Sequence, residues 1–347
     1  MRGAAPSQNG AGNGAQNGHA TISSGFKNGA ENGSGNGADV VDLPAEAAKL
    51  DPSIYPAPTR KAGYSRFRVS AAAITPARVL LTGVTGFLGA HILHHMLMET
   101  QVVAVYCIVR ARDAEHAAQR IEAALRALGL WSADVAGHVA ECVVPIVGDL
   151  ARPLLGLPLR DFQALAGELD AIIHAGAKVN LVRPYQSLKA ANVLGTQEVL
   201  RLAVTNGFAT RVKPVHYVST NGVFPFGAGA PARRREGDDL SEIWPQLTDG
   251  YAQTKWVAEA MCAEARRRGL PLSILRCGNM APSSATGAWN GADFMYLALR
   301  ACAQLGCAPD AAAGWKVDMT PVDYAARAIV HCAVTDPSKA LGRVLHV

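Results

Sequence analysis

The sequence has few of the features that mark membrane, secreted or nucleic-acid-binding proteins. No apolar run approaches the length of a membrane span, and the N-terminus has no apolar core of a secretory signal. The seven cysteines include no Cys-x-x-Cys pair, so we expect reduced core thiols in a cytoplasmic protein. Plastid or mitochondrial targeting stays open. The net charge of +5 comes with no basic stripe among aromatic residues, so nucleic acid is not an expected partner.

Residues 1–40 repeat the dipeptide Asn-Gly, from Asn9 and Gly10 to Asn36 and Gly37. Asn-Gly forms hairpin turns where alternating apolar strands flank it, and none do here. We therefore predict an Asn/Gly-rich disordered tether over 1–40 and one folded domain over 41–347.

A glycine-rich turn follows the first apolar run of this domain. The run ends at Thr82 and leads into Gly83, Gly86 and Gly89, after which a helical pattern begins. Gly83 permits a tight turn, Gly86 lets the backbone approach a pyrophosphate, and Gly89 lets the helix pack closely on the strand. A helix N-terminus there would direct N–H groups and its positive dipole end at the anion. We predict a dinucleotide site; the alternative is a turn without a ligand.

Strand-like and helix-like segments alternate along the rest of the chain. Buried strands are predicted over 102–109, 141–147, 170–174, 215–218, 272–275 and 343–347. Helices are predicted to about residue 128 after Asp113, over 184–205, and from residue 250. This alternation predicts an α/β fold with a doubly wound parallel sheet of the Rossmann type.

The residue that ends the second strand indicates the cofactor. NAD-preferring sites carry an acidic residue there for the ribose 2′-hydroxyl, whereas arginine accommodates a 2′-phosphate. The strand ends here on Arg110, with Arg112 two residues on and Arg120 within the next helix. We predict NADPH, with Arg110 at its 2′-phosphate and with Arg112 and Arg120 also able to reach it. A solvent-exposed helix face explains Arg120 equally well.

Three residues form a candidate catalytic set. Tyr251 and Lys255 lie at i and i+4, on one face of a predicted helix. An adjacent ammonium lowers the pKa of a phenol, so we expect Lys255 to lower the pKa of Tyr251 and to hold the nicotinamide ribose. Thr220 ends the fifth strand, where its hydroxyl can bind a substrate carbonyl. A Tyr-xxx-Lys pair alone is common on helix surfaces. The presence of Thr220 at the end of the fifth strand favours the catalytic interpretation of this pair.

These motifs, at 82–89, 217–220 and 251–255, resemble those of an extended short-chain dehydrogenase/reductase. More narrowly, the chain is similar from about residue 41 to its end to the thioester reductase (R) domains of nonribosomal peptide and polyketide synthases. Carboxylic acid reductases and aminoadipate reductase carry related domains. The narrower likeness is carried by residues 45–54, 105–110, 148–150, 174–180, 192–196, 250–259, 286–290 and 318–324.

The resemblance implies NADPH-dependent reductive release of an acyl or peptidyl thioester from the phosphopantetheine arm of a carrier protein. The product would be an aldehyde, and a second round could give an alcohol. Carried over motif by motif, the cofactor contacts would lie at the pyrophosphate (Thr82, Gly83, Thr85, Gly86, Phe87, Leu88, Gly89), the adenine (Asp149, Leu150), the adjacent ribose (Ala175, Gly176, Ala177) and the nicotinamide (Cys277, Gly278, Asn279). Lys178 would lie near the same cleft or be structural.

R domains continue past the strand at 343–347 into a C-terminal lobe that helps form the acyl pocket. We therefore expect a small substrate lobe, with elements at about 221–250 and 280–325, that is truncated in this chain. A carrier would come in trans or from sequence beyond this chain. Trp289 and Phe294 are candidates for the acyl pocket or for core packing.

Other functions and sites stay open. A fatty acyl-CoA reductase differs in what presents the acyl group, and a non-catalytic NADPH-binding module is a further alternative. Arg110 counts against a nucleotide-sugar epimerase or dehydratase. No acidic residue lies among His91, His94 and His95, so we predict no metal site. The arginines at 233–235 would form a solvated loop or contact an acidic carrier.

Overall fold

The computed structural model describes residues 41–56, 76–205, 212–225, 233–308 and 318–347. The predicted tether at 1–40 and two parts of the predicted substrate lobe, 226–232 and 309–317, lie outside the described residues. Residues 41–347 form one compact unit.

A seven-stranded parallel sheet forms the centre of this unit. The strands are, in chain order, β1 (Arg78–Thr82), β2 (Ala104–Val109), β3 (Val143–Val147), β4 (Ala171–His174), β5 (Val215–Thr220), β6 (Leu272–Cys277), β7 (Asn279–Ala281), β8 (Met319–Pro321) and β9 (Val344–His346). The central sheet has the order β3-β2-β1-β4-β5-β6-β9, while β7 and β8 pair with each other in parallel. The predicted doubly wound α/β fold is confirmed. Because the strand order reverses between β1 and β4, a crevice opens at the carboxyl ends of these two strands.

Helices cover both faces of the sheet. They are α1 (Leu43–Ala47), α2 (Phe87–Glu99), α3 (Ala114–Ala127), α4 (Ala133–Cys142), α5 (Leu159–Glu168), α6 (Tyr185–Lys189), α7 (Gly195–Val204), α8 (Gly250–Arg267), α9 (Phe294–Leu305) and α10 (Val322–Val330). One hydrophobic core lies between the sheet and α1, α5, α7 and α8; the other lies between the sheet and α2, α3, α4 and α10. Burial on both faces explains why the strands are nearly continuous apolar runs. None of the described helices is long and apolar enough to cross a membrane.

The third strand is shorter than the sequence predicted. Ser132 caps α4 by accepting a hydrogen bond from the Val135 N–H at 3.2 Å, and this helix continues through Cys142. The strand predicted over 141–147 therefore begins at Val143. Helical capping at Ser132 extends the helix into residues whose β-branched neighbours had indicated a strand.

The segment 41–56 packs against the helices behind the crevice. Leu43, Leu50 and Ile54 are buried in the core that contains α8. The Arg268 guanidinium, just past the end of α8, donates to the Asp51 carbonyl at 2.8 Å. The N-terminal segment thus holds the helix that carries the candidate catalytic residues.

Candidate functional site

The glycines at the carboxyl end of β1 are sterically required. Gly83 has φ of +81°, in the left-handed region, and a Cβ there would lie 2.7 Å from the Gly176 Cα. A Cβ on Gly89 would lie 2.0 Å from the Gly83 carbonyl oxygen. The same carbonyl accepts the Gly86 N–H at 2.9 Å. Strand, turn and helix can therefore approach one another only with glycine at these positions.

The turn leads directly into the N-terminus of α2. Gly86 precedes α2, and no side chain caps the helix. The N–H groups of the first helical residues, Phe87 and Leu88, have no acceptor within the helix. Together with the dipole they suit a phosphate, and Thr85 lies half-buried beside them.

A hydrogen-bonded chain of buried side chains supports the crevice from below. The Thr196 hydroxyl donates to the Asn192 carbonyl at 2.6 Å, so it accepts from His174 Nε2 at 3.1 Å. His174 Nδ1 then accepts from the Thr82 hydroxyl at 2.7 Å, and Thr82 accepts the Gly176 N–H at 2.9 Å. Burial lowers the pKa of His174 to about 3, which keeps its ring neutral. Thr82 is fully buried, and its hydroxyl holds the crevice-lining Gly176, a role that its sequence position did not reveal.

The loop after β3 packs against the carboxyl end of β4. A Cβ on Gly176 would lie 2.6 Å from Leu150 Cδ1, so this leucine packs against the β4 end. The Asp149 N–H donates to the Leu155 carbonyl at 2.7 Å and folds the loop back on itself. Leu154 and Leu155 have positive φ values of 52° and 59°, a strained conformation for leucine. Ala175 and Ala177, which flank Gly176, are half-buried.

Three arginines lie at the carboxyl end of β2. Arg110 is exposed, and the Arg120 guanidinium donates to its backbone carbonyl. The Arg120 side chain is therefore held at the carboxyl end of β2, within reach of a ligand bound there. Arg112 instead forms an ion pair with Asp113 at 3.1 Å.

Lys255 lies deep between α8 and β5. Its ammonium donates to the Val218 carbonyl at 2.8 Å and lies 4.1 Å from the centroid of the Tyr217 ring. Tyr251 is half-buried one turn earlier on α8. Thr220 ends β5, and its hydroxyl oxygen accepts the Gly222 N–H at 3.1 Å.

The electrostatics correct one prediction from the sequence. Burial raises the pKa of the Tyr251 phenol above its ordinary value, and Cys277 and Asp249 raise it further. Lys255 is not among the groups that shift this pKa; its ammonium donates to the Val218 carbonyl, and burial lowers its own pKa to about 8. Tyr251 is thus a protonated phenol at neutral pH. Burial also raises the pKa of Cys277 to about 12, so this thiol is a poor nucleophile.

Asp318 organises the segment beyond β6, which the sequence assigned to the nicotinamide. Its carboxylate accepts from the Asn221 side-chain amide at 2.7 Å, next to Thr220. Its backbone carbonyl accepts from the Asn279 side chain at 3.0 Å. A Cβ on Gly278 would lie 2.7 Å from the same carboxylate. Asp318 belongs to a segment that carried the R-domain resemblance, but its contacts were not predicted.

Asn192 joins the crevice to α8, another contact that the sequence did not reveal. Its side-chain oxygen accepts the Lys178 N–H at 2.7 Å, and its amide donates to Thr254 on α8 at 3.0 Å. Lys178 itself is exposed, and its ammonium is directed at the Ser187 carbonyl at 3.4 Å.

The remaining candidates lie away from this crevice or on its margin. Among the described residues, no group of three or more His, Cys, Asp or Glu side chains is placed to hold a metal ion. The Trp289 indole donates to the Met280 carbonyl at 3.1 Å, and Phe294 is 64% exposed. Arg234 lies 5.2 Å from the centroid of the Phe224 ring.

Comparisons with known proteins agree with this geometry. The NAD-binding family described as male sterility protein matches residues 81–329. A linear gramicidin synthase protein of Brevibacillus parabrevis is 43% identical over 259 residues, 75% of this chain and 5% of that protein. Glycine betaine reductase ATRR of Emericella nidulans is 44% identical over 260 residues, 74% of this chain and 20% of that protein. The chain thus spans a small part of either relative.

Solved structures show the same relationship. The terminal R domain from the myxalamid PKS-NRPS biosynthetic pathway has a TM-score of 0.74 and 41% identity to this chain. The likeness covers 88% of this chain and 71% of that domain. The resemblance drawn from the sequence is confirmed. The chain belongs to the NAD-binding family described as male sterility protein, and it is similar to a terminal R domain over 88% of its length.

Proposed function

We propose that this chain reduces an acyl or peptidyl thioester, held on the phosphopantetheine arm of a carrier protein, to an aldehyde with NADPH. The observation that carries the proposal is the placement of Thr220, Tyr251 and Lys255 around the carboxyl end of β5. Lys255 of α8 donates to the carbonyl of Val218, two residues before Thr220 on β5, and Tyr251 lies one turn before Lys255 on the same helix. The likeness to terminal R domains supports a carrier protein as the partner.

The crevice fits the cofactor. Gly83 and Gly89 leave no room for a Cβ, so backbone lines the site where a pyrophosphate would bind, and the N-terminus of α2 supplies N–H groups. Arg110 and Arg120 would hold the 2′-phosphate, and Cys277 would face the nicotinamide. NADPH would supply the hydride for the thioester carbonyl.

The protein's own side chains would manage the charge that hydride transfer creates. Thr220 and Tyr251 would donate hydrogen bonds to the carbonyl oxygen, where negative charge develops. The raised pKa keeps Tyr251 protonated until the oxygen becomes basic enough to take its proton. Val218 accepts one of the three N–H groups of Lys255, which leaves two that would bind the nicotinamide ribose.

Release then requires no cysteine nucleophile. The hemithioacetal collapses to an aldehyde as its carbon–sulfur bond breaks, and the sulfur leaves as the free pantetheine thiol. The test is NADPH oxidation by residues 41–347 against acyl-pantetheine and acyl-CoA thioesters, with free thiol measured in parallel. We expect oxidation matched by thiol release and faster with pantetheine. A preference for CoA would support a fatty acyl-CoA reductase instead.

The cofactor preference has its own test. Charge-assisted hydrogen bonds contribute about 1.5–3 kcal/mol, so Arg110→Ala should lower NADPH affinity by roughly 10- to 100-fold and leave NADH affinity unchanged. Arg112→Ala is the matched control, because Arg112 already pairs with Asp113. Equal affinities for NADPH and NADH in the unsubstituted chain would contradict the assignment.

A further inference from the structure

A buried ion pair lies beneath the candidate catalytic residues and takes no part in the mechanism above. Arg276 of β6 binds one carboxylate oxygen of Glu259 on α8, with Nη2 at 2.6 Å and Nε at 2.9 Å. Both side chains are 3% exposed. The Ser219 hydroxyl of β5 donates to the other carboxylate oxygen at 2.6 Å. Both oxygens of the carboxylate are therefore bound, which fixes its orientation.

Stability alone does not account for this arrangement. Desolvation of two buried charges offsets much of their attraction, and apolar side chains of similar size often replace such pairs without loss. The contribution of this triad, formed by Ser219, Glu259 and Arg276, must therefore be sought in the residues that it holds in place. Ser219 precedes Thr220, and Glu259 lies one helical turn after Lys255.

The triad and Lys255 fasten α8 to β5 at consecutive residues. Lys255 donates to the Val218 carbonyl at 2.8 Å, and Glu259 accepts from Ser219, the next residue along the strand. Two adjacent attachments, one helical turn apart on α8, prevent the helix from sliding or rotating on the strand. Arg276 brings in β6, so three elements that carry or flank the site are tied together.

The same guanidinium reaches the loop that follows Thr220. It lies 4.8 Å from the centroid of the Phe224 ring and donates to the Glu236 carbonyl at 3.4 Å. Phe224 comes four residues after Thr220, so the stacking contact limits movement of the turn that holds the threonine hydroxyl.

We infer that Ser219, Glu259 and Arg276 are positioning residues that hold Lys255 and Thr220 in the geometry required for hydride transfer. This inference rests on the proposed function. Orientation of reacting groups is sensitive to small displacements, and a shift of about 1 Å can cost roughly 100-fold in rate. Loss of the triad should therefore act on turnover much more than on substrate binding.

The first experiment compares two serine variants that each lose one buried hydrogen bond. Ser219→Ala removes the bond to Glu259. Ser273→Ala, in β6, removes an equally buried bond to His216 Nδ1 at 2.7 Å and is the matched control. Both should lower the melting temperature by a similar amount. Ser219→Ala alone should lower kcat by roughly 10- to 100-fold and change the KM for the thioester by less than about 3-fold.

A second variant separates positioning from charge. Glu259→Gln alone would leave Arg276 buried and unpaired, and it would risk misfolding. The double variant Glu259→Met with Arg276→Met removes both charges at similar volume. We expect it to fold and to keep the low kcat of Ser219→Ala. A double variant with the kcat of the unsubstituted chain would overturn the inference.

A binding measurement decides the matter without turnover. Ser219→Ala should weaken NADPH binding several-fold, because Lys255 would hold the nicotinamide ribose, and should leave binding of adenosine 2′,5′-bisphosphate unchanged. Equal behaviour of Ser219→Ala and Ser273→Ala in this comparison would refute positioning. Absence of thioester reduction by the unsubstituted chain would instead reject the proposed function, with the binding comparison still decisive for the triad.

Discussion

Gly89→Ala should weaken NADPH binding strongly although alanine is the better helix former. In an unconstrained helix, replacing glycine by alanine gains about 0.5–1 kcal/mol. At Gly89 the new Cβ would lie 2.0 Å from the Gly83 carbonyl oxygen and 2.6 Å from its carbon. These separations are more than about 1 Å short of normal contact, so backbone must move. The displaced carbonyl is the one that accepts the Gly86 N–H, a bond worth about 1 kcal/mol.

Overpacking costs about 1–3 kcal/mol in addition, and the shifted amides no longer converge on a phosphate. A combined loss of about 3 kcal/mol corresponds to roughly 100-fold in NADPH affinity. Gly137→Ala is the control, because a Cβ on this exposed residue of α4 would meet nothing within 4 Å. It should raise stability slightly and leave NADPH binding unchanged. Fluorescence titration with NADPH measures the affinity of each variant. A Gly89→Ala affinity within about 3-fold of that of the unsubstituted chain would refute the reasoning.

Two further perturbations probe the core and the site. Burial lowers the pKa of His174 to about 3 and that of His216 to about 4, whereas both titrate near 6.5 when unfolded. Their contribution to the free energy of unfolding is therefore complete above pH 6.5 and is lost as the pH falls towards 3. The loss is about 2 kcal/mol for each histidine by pH 5. Urea denaturation that gives equal stability at about pH 7.5 and about pH 5 would contradict this. Asp318→Ala removes the acceptor of the Asn221 amide beside Thr220, so kcat should fall by roughly 10-fold. NADPH affinity should stay unchanged in this variant, and an unaltered kcat would show that Asp318 does not hold the threonine turn.

The sheet could be predicted because its signals are local. Buried parallel strands read as β-branched runs, and a turn that excludes Cβ atoms requires glycine, as at Gly83 and Gly89. The start of β3 was predicted wrongly, because α4, which Ser132 caps, continues through Glu141 and Cys142 up to the β-branched run that begins at Val143.

The electrostatics of the site could not be predicted from spacing. An i, i+4 pair places Tyr251 and Lys255 on one face, but it does not state how deeply each group is buried or which acceptor the ammonium meets. Burial set the direction of both pKa shifts, and the Val218 carbonyl engaged the lysine. The i, i+4 spacing therefore predicted which residues lie together but not the direction in which the pKa of Tyr251 shifts.

The supporting contacts escaped prediction because they join distant parts of the chain. Asn221 and Asp318 are 97 residues apart, and Ser219 and Glu259 are 40 apart. No periodicity or composition relates such pairs. The polar residues around a site emerge only when the strands and helices that carry them are packed together.

The most direct test of the account compares Tyr251→Phe with the unsubstituted chain in thioester reduction. General acid catalysis contributes about 100- to 10,000-fold, so removal of the phenolic proton should lower NADPH oxidation and thiol release together by at least about 100-fold. NADPH affinity should stay the same, because the phenol lies on α8, away from the glycine turn. Turnover retained in Tyr251→Phe, or NADPH oxidation without thiol release in the unsubstituted chain, would contradict thioester reduction at this site.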